Sequence, residues 1–216
     1  MKKIISFLTV CIMIFPLSAC GNNMQSTEPS NLSETGSSSD VSDESQPSET
    51  DISKPKETDG KTLVIYFSCT GNTKKAAEEI QRLTNADTFE IIPKVPYTSE
   101  DLNYSDDDSR ANREMRDDTA RPEIDGTLDN LADYDTVFIG YPLWWGTMPK
   151  IINTLLDTYD FSDKTIIPFC TSGSSSISTS VSAIKALEPN AKVLSGFRVS
   201  DISKVEAQIA DVISQG

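Results

Sequence analysis

Small hydroxyl-bearing residues surround a single glycine at the end of an apolar run. This hydroxyl loop reads Ser68-Cys-Thr-Gly-Asn-Thr73 and directly follows the apolar stretch Thr62–Ser68. Glycine permits a tight turn, and backbone amides at the start of a helix favour an anion. Serine and threonine hydroxyls add further donors. The loop could therefore bind phosphate without an arginine, although Thr70 or Asn72 could instead cap the helix.

Both tryptophans of the chain stand side by side, as Trp144 and Trp145, after a second apolar run. They belong to Gly140–Pro149, here called the tryptophan loop, whose two prolines and two glycines shape the backbone. A stiff loop that presents large aromatic faces suits a flat aromatic ligand. We expect one indole to close the core and the other to contact a ligand.

A third loop of small residues follows a further apolar run that ends at Cys170. This serine loop, Thr171–Ser176, contains one glycine and four serines. Small side chains let backbone amides and carbonyls approach a ligand closely. The alternative is a flexible linker without a binding function.

Composition excludes several classes of function. The chain has 216 residues, a net charge of −14 and no histidine, and its four cysteines form no CxxC pair. These features exclude histidine-based triads and metal sites, a zinc ribbon and a disulfide-stapled scaffold. The acidity also argues against capture of nucleic acid. A cysteine phosphatase loop would need an arginine six residues after Cys69, and Lys75 lacks the bidentate fork.

The periodicity of the chain predicts alternating strands and helices from Lys61 to Gly216. The predicted strands are Thr62–Ser68, Asp87–Ile92, Thr136–Gly140, Lys164–Cys170 and Lys192–Val199, and the predicted helices are Thr73–Leu83, Lys150–Thr158, Ile177–Leu187 and Ile202–Ser214. Such units predict an α/β fold with a doubly wound, five-stranded parallel sheet and helices on both faces. Ligands then bind beyond the carboxyl ends of the strands, where the three loops lie.

The long polar segment Pro93–Gly126 interrupts this alternation, with one helix predicted around Asp106–Arg116. Its arginines, which are Arg110, Arg113, Arg116 and Arg121, could bind an anionic substrate near the site. The alternative is a solvated helix that pairs them with neighbouring aspartates. The sequence favours this alternative.

The first sixty residues are not expected to belong to the folded domain. Residues 1–20 combine two lysines with a short apolar run, as in a signal peptide. Their end, Leu17-Ser-Ala-Cys20, resembles a bacterial lipobox, which implies a lipidated Cys20 and a protein held at the outer face of the cell membrane. Residues 21–60 have no aromatic residue and ten serines, so we expect a disordered tether.

The three loops together resemble the flavodoxin-like FMN-binding family. The most specific part is Gly-Tyr-Pro-x-Trp-Trp-Gly-x-x-Pro, which is intact at Gly140–Pro149 and is similar to a branch of short bacterial flavodoxins. Thr70–Thr73, Arg121-Pro122 and Lys164–Thr171 also resemble this family. The serine loop departs from it, because relatives are expected to carry more glycine there. The resemblance implies FMN as cofactor and the sheet order 2-1-3-4-5.

The resemblance also implies which residues bind the flavin. The phosphate would be held by Ser68, Thr70, Gly71, Asn72 and Thr73, and the ring by Pro142, Leu143, Trp144, Trp145, Gly146, Thr171, Ser172 and Gly173.

A lipid-anchored electron carrier that serves redox partner proteins is the first functional hypothesis. An FMN-dependent NAD(P)H or quinone oxidoreductase is the second, and a binding lipoprotein without flavin is the third.

Overall fold

The structure is a computed structural model that describes residues 60–216. The expected signal peptide, the tether up to residue 59 and Cys20 lie outside the described residues. Within the described part, no helix is both long enough and apolar enough to cross a membrane.

A parallel sheet forms the centre of the domain, as predicted. Its spatial order is β2-β1-β5-β6-β7, and β8 pairs with β6 beside β7. Every pair within this sheet is parallel, so the expected order 2-1-3-4-5 is confirmed when sheet positions are counted along the chain. The strands are β1 Thr62–Tyr66, β2 Asp87–Glu90, β3 Ile92–Pro93, β4 Ile124–Asp125, β5 Thr136–Pro142, β6 Thr165–Thr171, β7 Lys192–Val193 and β8 Phe197–Val199.

Helices cover both faces of the sheet. They are α1 Asn72–Thr84, α2 Arg110–Arg116, α3 Lys150–Thr158, α4 Ser178–Leu187 and α5 Val205–Ser214. Alternate residues of β1 point to opposite faces, so Leu63 and Ile65 pack in one apolar cluster and Val64 in the other. The first cluster includes the apolar faces of α3 and α4, and the second includes those of α1 and α5.

The predicted fifth strand, Lys192–Val199, is divided into β7 and β8, and the cause lies on the neighbouring strand β6. Pro168 in the middle of β6 has no backbone N–H to donate. Ile166, two residues earlier, accepts from Leu194 N–H at 2.9 Å, so Pro168 faces the same edge. Gly196 turns the chain there with φ of 64°, and a Cβ at this position would lie 2.5 Å from Pro168 O. The ladder therefore stops after β7 and resumes at β8.

The polar segment is more ordered than its composition suggests. The predicted strand Asp87–Ile92 ends at Glu90, and Ile92 instead begins β3, which pairs antiparallel with β4 at the other end of the segment. The sequence did not indicate this pairing. α2 begins at Arg110 rather than near Asp106, because Ser109 caps it by accepting from Asn112 N–H. The segment is thus closed at its base by two short strands and carries one short helix.

Candidate functional site

The hydroxyl loop leaves backbone amides open at the start of α1. Gly71 adopts φ of 82°, and α1 begins at Asn72 without a hydrogen bond from a capping side chain. The amide of Lys75 donates to Gly71 O at 3.1 Å. Amides that precede it have no carbonyl acceptor within an α-helix. The capping alternative is therefore not what the structure shows, and the loop presents donors to an anion.

The three hydroxyls of this loop differ in their hydrogen-bond partners. Ser68 Oγ is buried and has no hydrogen-bond partner among the described residues. Thr73 Oγ1 lies 2.8 Å from Thr171 Oγ1, which joins the hydroxyl loop to the serine loop. Asn72 Nδ2 donates to Thr70 Oγ1 at 3.3 Å. A buried hydroxyl without a partner is costly unless a ligand or water satisfies it, so Ser68 indicates a binding position.

The loops border one open pocket of about 490 Å³. Six residues that the sequence predicted line it, namely Thr70, Asn72, Pro142, Thr171, Ser172 and Gly173. Ser68, Gly71 and Thr73 complete the hydroxyl loop behind this lining. Leu143, Trp144, Trp145 and Gly146 lie in the adjoining tryptophan loop.

Two further parts of the lining were not predicted. Lys75 lies three residues after Asn72, and thus on the same face of α1. Val199–Ile202, at and after the end of β8, close the opposite side. The rule that ligands bind beyond the carboxyl ends of strands applies to the fifth strand as well, so this signal was present in the sequence.

The tryptophan loop makes a tight turn with two left-handed residues. Trp144 and Thr147 exchange both backbone hydrogen bonds, at 2.9 and 3.0 Å. Between them, Trp145 has φ of 51° and Gly146 has φ of 77°. Glycine adopts this conformation freely, whereas tryptophan is strained in it. The turn separates the two indoles into different environments.

Trp144 is a core residue and Trp145 a surface residue. Trp144 is 3% exposed and packs edge-on against Phe67 and Tyr97, with ring centroids 5.7 and 5.2 Å away. Trp145 is 62% exposed. The structure thus places one indole in the core, as the sequence analysis expects. Trp145 is the indole that remains accessible to a ligand.

The serine loop is tied to its neighbours rather than free. Leu143 N–H donates to Thr171 O at 3.0 Å, which joins it to the tryptophan loop. Arg198 in β8 donates to Ser172 O at 3.0 Å and to Gly173 O at 3.3 Å. These bonds hold the small residues at the edge of the pocket and argue against a flexible linker.

The two described cysteines are free thiols that resist ionisation. Burial raises the pKa of Cys69 from 9.0 to about 12, and it raises that of Cys170 to the same value. A thiol needs a lowered pKa to act as a nucleophile. The raised pKa of Cys69 disfavours the phosphatase interpretation of the hydroxyl loop, which the lysine at position 75 disfavours already.

Three arginines of the polar segment are engaged in ion pairs. Arg110 bonds Glu114 at 2.6 Å and lies over the Tyr97 ring, 3.9 Å from its centroid. Arg121 bonds Asp157 at 2.5 Å. Arg116 contacts Asp107. For these three the solvated-helix alternative describes the geometry better than an anion site does, although Arg110 and Arg121 pair with partners other than the expected ones.

Several solved structures of other proteins are similar to this chain. A crystal structure described as a flavoprotein of Bacteroides uniformis ATCC 8492 is 41% identical, covers 69% of this chain and 97% of its own, and has a TM-score of 0.67. Another from Bacteroides eggerthii DSM 20697 is 38% identical, covers 71% and 98%, and has a TM-score of 0.66.

A third structure, a flavoprotein of Lactobacillus acidophilus NCFM in complex with FMN, is 27% identical, covers 69% and 99%, and has a TM-score of 0.57. No curated protein matches the chain. The profile of the family described as Flavodoxin matches residues 61–214. The chain belongs to the flavodoxin family.

Proposed function

We propose that this protein is an FMN-binding electron carrier, held at the outer face of the cell membrane by a lipid on Cys20. The observation that carries the flavin site is Ser68 Oγ, buried without a partner behind open amides of α1. When bound, the flavin supplies the electron-transfer chemistry. The protein supplies the pocket, the orientation and the local charge.

The residues present fit FMN. A phosphate has several acceptor oxygens, which match the amides and hydroxyls of Ser68, Thr70 and Thr73. Gly71 at φ of 82° keeps this backbone in the required turn. The ring would lie along the tryptophan and serine loops, where Pro142, Thr171, Ser172 and Gly173 already line the pocket. Leu143, Trp145 and Gly146 would complete the ring side, with Trp144 supporting it from the core.

Two features of the chain disfavour extra negative charge on a bound flavin. Residues 61–216 contain 24 acidic and 15 basic residues, which leaves a net charge of −9. The exposed indole of Trp145 adds an electron-rich face. Both should lower the reduction potential of the flavin, which suits a low-potential carrier. The same acidity favours a partner protein with a basic docking surface.

A carrier needs no catalytic side chain, because the flavin itself takes up and releases the electrons. The thiol of Cys69 has a raised pKa, and burial together with the bond to Glu114 raises the pKa of Tyr97. Neither group is prepared for proton transfer near neutral pH. The experiment is a redox titration of the purified yellow protein. Reversible electron uptake, with negligible NAD(P)H turnover, is the result expected of a carrier.

One observation favours an FMN-dependent NAD(P)H or quinone oxidoreductase as the second candidate. The pocket continues past the serine loop to Lys75 and to Val199–Ile202. An exposed lysine could attract an anionic hydride donor. Steady oxidation of NAD(P)H with a quinone, lost in Lys75→Met and kept in the remote Lys185→Met, would establish this candidate instead.

The proposed location depends on Cys20 alone. Two or more acyl chains give stable membrane anchoring, whereas one is marginal. In a bacterium that processes lipoproteins, Cys20→Ala should leave the membrane fraction or remain unprocessed. Normal processing and membrane retention of Cys20→Ala would contradict the location and leave the flavin site unaffected.

A further inference from the structure

Trp145 adopts a conformation that its local sequence does not favour. It is a large residue with φ of 51°, it is 62% exposed, and it occupies a turn position that usually holds asparagine or glycine. Strained backbone persists only where surrounding contacts hold it, and it concentrates at binding sites. Contacts from outside the tryptophan loop should therefore hold this indole in place.

The indole N–H of Trp145 has a specific acceptor. Its Nε1 donates to Asn112 Oδ1 at 2.9 Å, and Asn112 on α2 is 1% exposed. The side-chain Nδ2 of Asn112 donates to Asp106 O at 2.7 Å and to Tyr104 O at 3.3 Å. Because two carbonyls take the amide nitrogen, only the amide oxygen can face Trp145. The acceptor is thus fixed in its orientation.

Tyr104 contacts the same indole from another direction. Its ring meets that of Trp145 nearly edge-on, with centroids 6.1 Å apart and planes at 69°. Its carbonyl also takes part in orienting Asn112. The stretch from Tyr104 to Asn112 therefore holds Trp145 at both its N–H and its ring.

The need of the Trp145 indole N–H for an acceptor does not by itself explain its contact with Asn112. Most of Trp145 is exposed, and water could accept from its N–H at little cost. A buried, fully oriented asparagine instead restricts the rotation of the indole. Restricting a side chain before binding reduces the entropy lost when a ligand contacts it.

We propose that Asn112 is a positioning residue that holds the Trp145 indole ready for the flavin ring, and that the polar segment serves as the support of the ring site. This inference rests on the proposed function, because it needs a flavin beside Trp145. It gives the polar segment a function other than binding an anionic substrate with its arginines.

A double-mutant cycle tests the proposal through FMN affinity. Asn112→Ala should weaken FMN binding by about threefold or more in the wild-type background. In a Trp145→Phe background, which lacks the indole N–H, the same change should have little further effect. Equal losses in both backgrounds would overturn the proposal, because Asn112 would then act independently of Trp145.

Ser109→Ala is the matched control for the stability of α2. It removes the cap that accepts from Asn112 N–H but leaves Asn112 Oδ1 available to Trp145. This variant should lower the melting temperature and keep the FMN affinity. If Ser109→Ala weakens FMN binding as much as Asn112→Ala does, the effect of Asn112 is structural and the proposal is wrong.

A further measurement uses the unaltered protein and therefore does not depend on whether an Asn112 variant folds. In the protein without flavin, exchange of the Trp145 indole proton with solvent should be about tenfold or more slower than in free tryptophan, with Trp145→Phe identifying the NMR signal. Exchange as fast as in free tryptophan would refute the proposal. If the proposed function is wrong instead, the result will be different: FMN will not bind, although the indole proton remains protected.

Discussion

The hydroxyl loop takes all its binding groups from six consecutive residues, whereas Trp145 depends on Asn112, which lies 33 positions away. In the first case a strand end, one glycine and a helix start suffice to arrange the donors. In the second, an indole on a strained turn is held by a different segment. The proposed phosphate side of the pocket is thus local in sequence, and the proposed ring side is assembled by tertiary contacts.

The same contrast separates the two adjacent tryptophans. Trp144 packs in the core against Phe67 and Tyr97, whereas Trp145 is exposed. Their neighbouring positions conceal this difference, because the turn at Trp145 and Gly146 directs the indoles apart. Substitution of Trp144 should therefore mainly reduce stability, and substitution of Trp145 should mainly reduce FMN binding.

The largest expected effect is on stability. Trp144→Ala should lower the free energy of unfolding by about 3–5 kcal/mol, as for other buried aromatic residues. Trp145→Ala should change it by less than about 1 kcal/mol, because the side chain is exposed and water can replace the indole N–H as the partner of Asn112 Oδ1. Urea unfolding of the proteins without flavin measures both. Similar losses for the two variants would contradict their separate assignment.

The next effect concerns the phosphate side. Gly71→Val places a branched residue at φ of 82°, so FMN affinity should fall tenfold or more, which corresponds to about 1.4 kcal/mol or more. Gly126→Val is a matched control, since Gly126 has φ of 80° and equally open space, whereas only Gly71 stands between two residues that line the pocket, Thr70 and Asn72. Both variants should lose stability and only Gly71→Val should lose FMN. Equal FMN affinity in the two would place the phosphate elsewhere.

A smaller effect is expected on the ring side. Trp145→Ala should weaken FMN binding a few-fold, since an aromatic stack is worth about 0.5–1.5 kcal/mol beyond area burial. It should also raise the reduction potential, because an electron-rich face no longer opposes added negative charge. Redox titration and FMN titration measure the two effects. A variant with unchanged affinity and potential would show that Trp145 does not contact the flavin.

A further effect links the hydroxyl loop to pH. The pKa of Cys69 is raised in the folded state, from 9.0 to about 12, so its protonated form is favoured by folding. This stabilising contribution is complete below pH 9 and is lost as the pH rises towards 12. Cys69→Ala should therefore lose less stability between pH 8 and pH 10.5 than the wild type does. Parallel pH profiles would mean that the thiol ionises normally.

Sequence reasoning succeeded where the signal was local. The apolar runs of β1, β5 and β6 predicted the central strands, and the family resemblance implied their order. The residue types of Ser68–Thr73 predicted a helix start, which is confirmed, whereas the anion site there stays a prediction. The family motif at Gly140–Pro149 directed attention to the two tryptophans, but it did not say which one is exposed.

What the sequence did not reveal depends on pairs of distant residues. Ile92 falls in a predicted strand, but the sequence did not show that it pairs with Asp125, whose two-residue run carries no strand signal. The split between β7 and β8 follows from Pro168 on the neighbouring strand. Asn112 resembles any other polar residue in a helix until its carbonyl partners and Trp145 are seen together.

The central claim is that this pocket binds FMN by its phosphate at the hydroxyl loop. Titration of the purified protein without flavin, using FMN and riboflavin in parallel, tests it most directly, because the two ligands differ only in the phosphate. The account predicts one FMN per chain, riboflavin binding at least about tenfold weaker, and loss of this difference in Gly71→Val. Equal affinity for the two ligands, or no flavin binding at all, would contradict it.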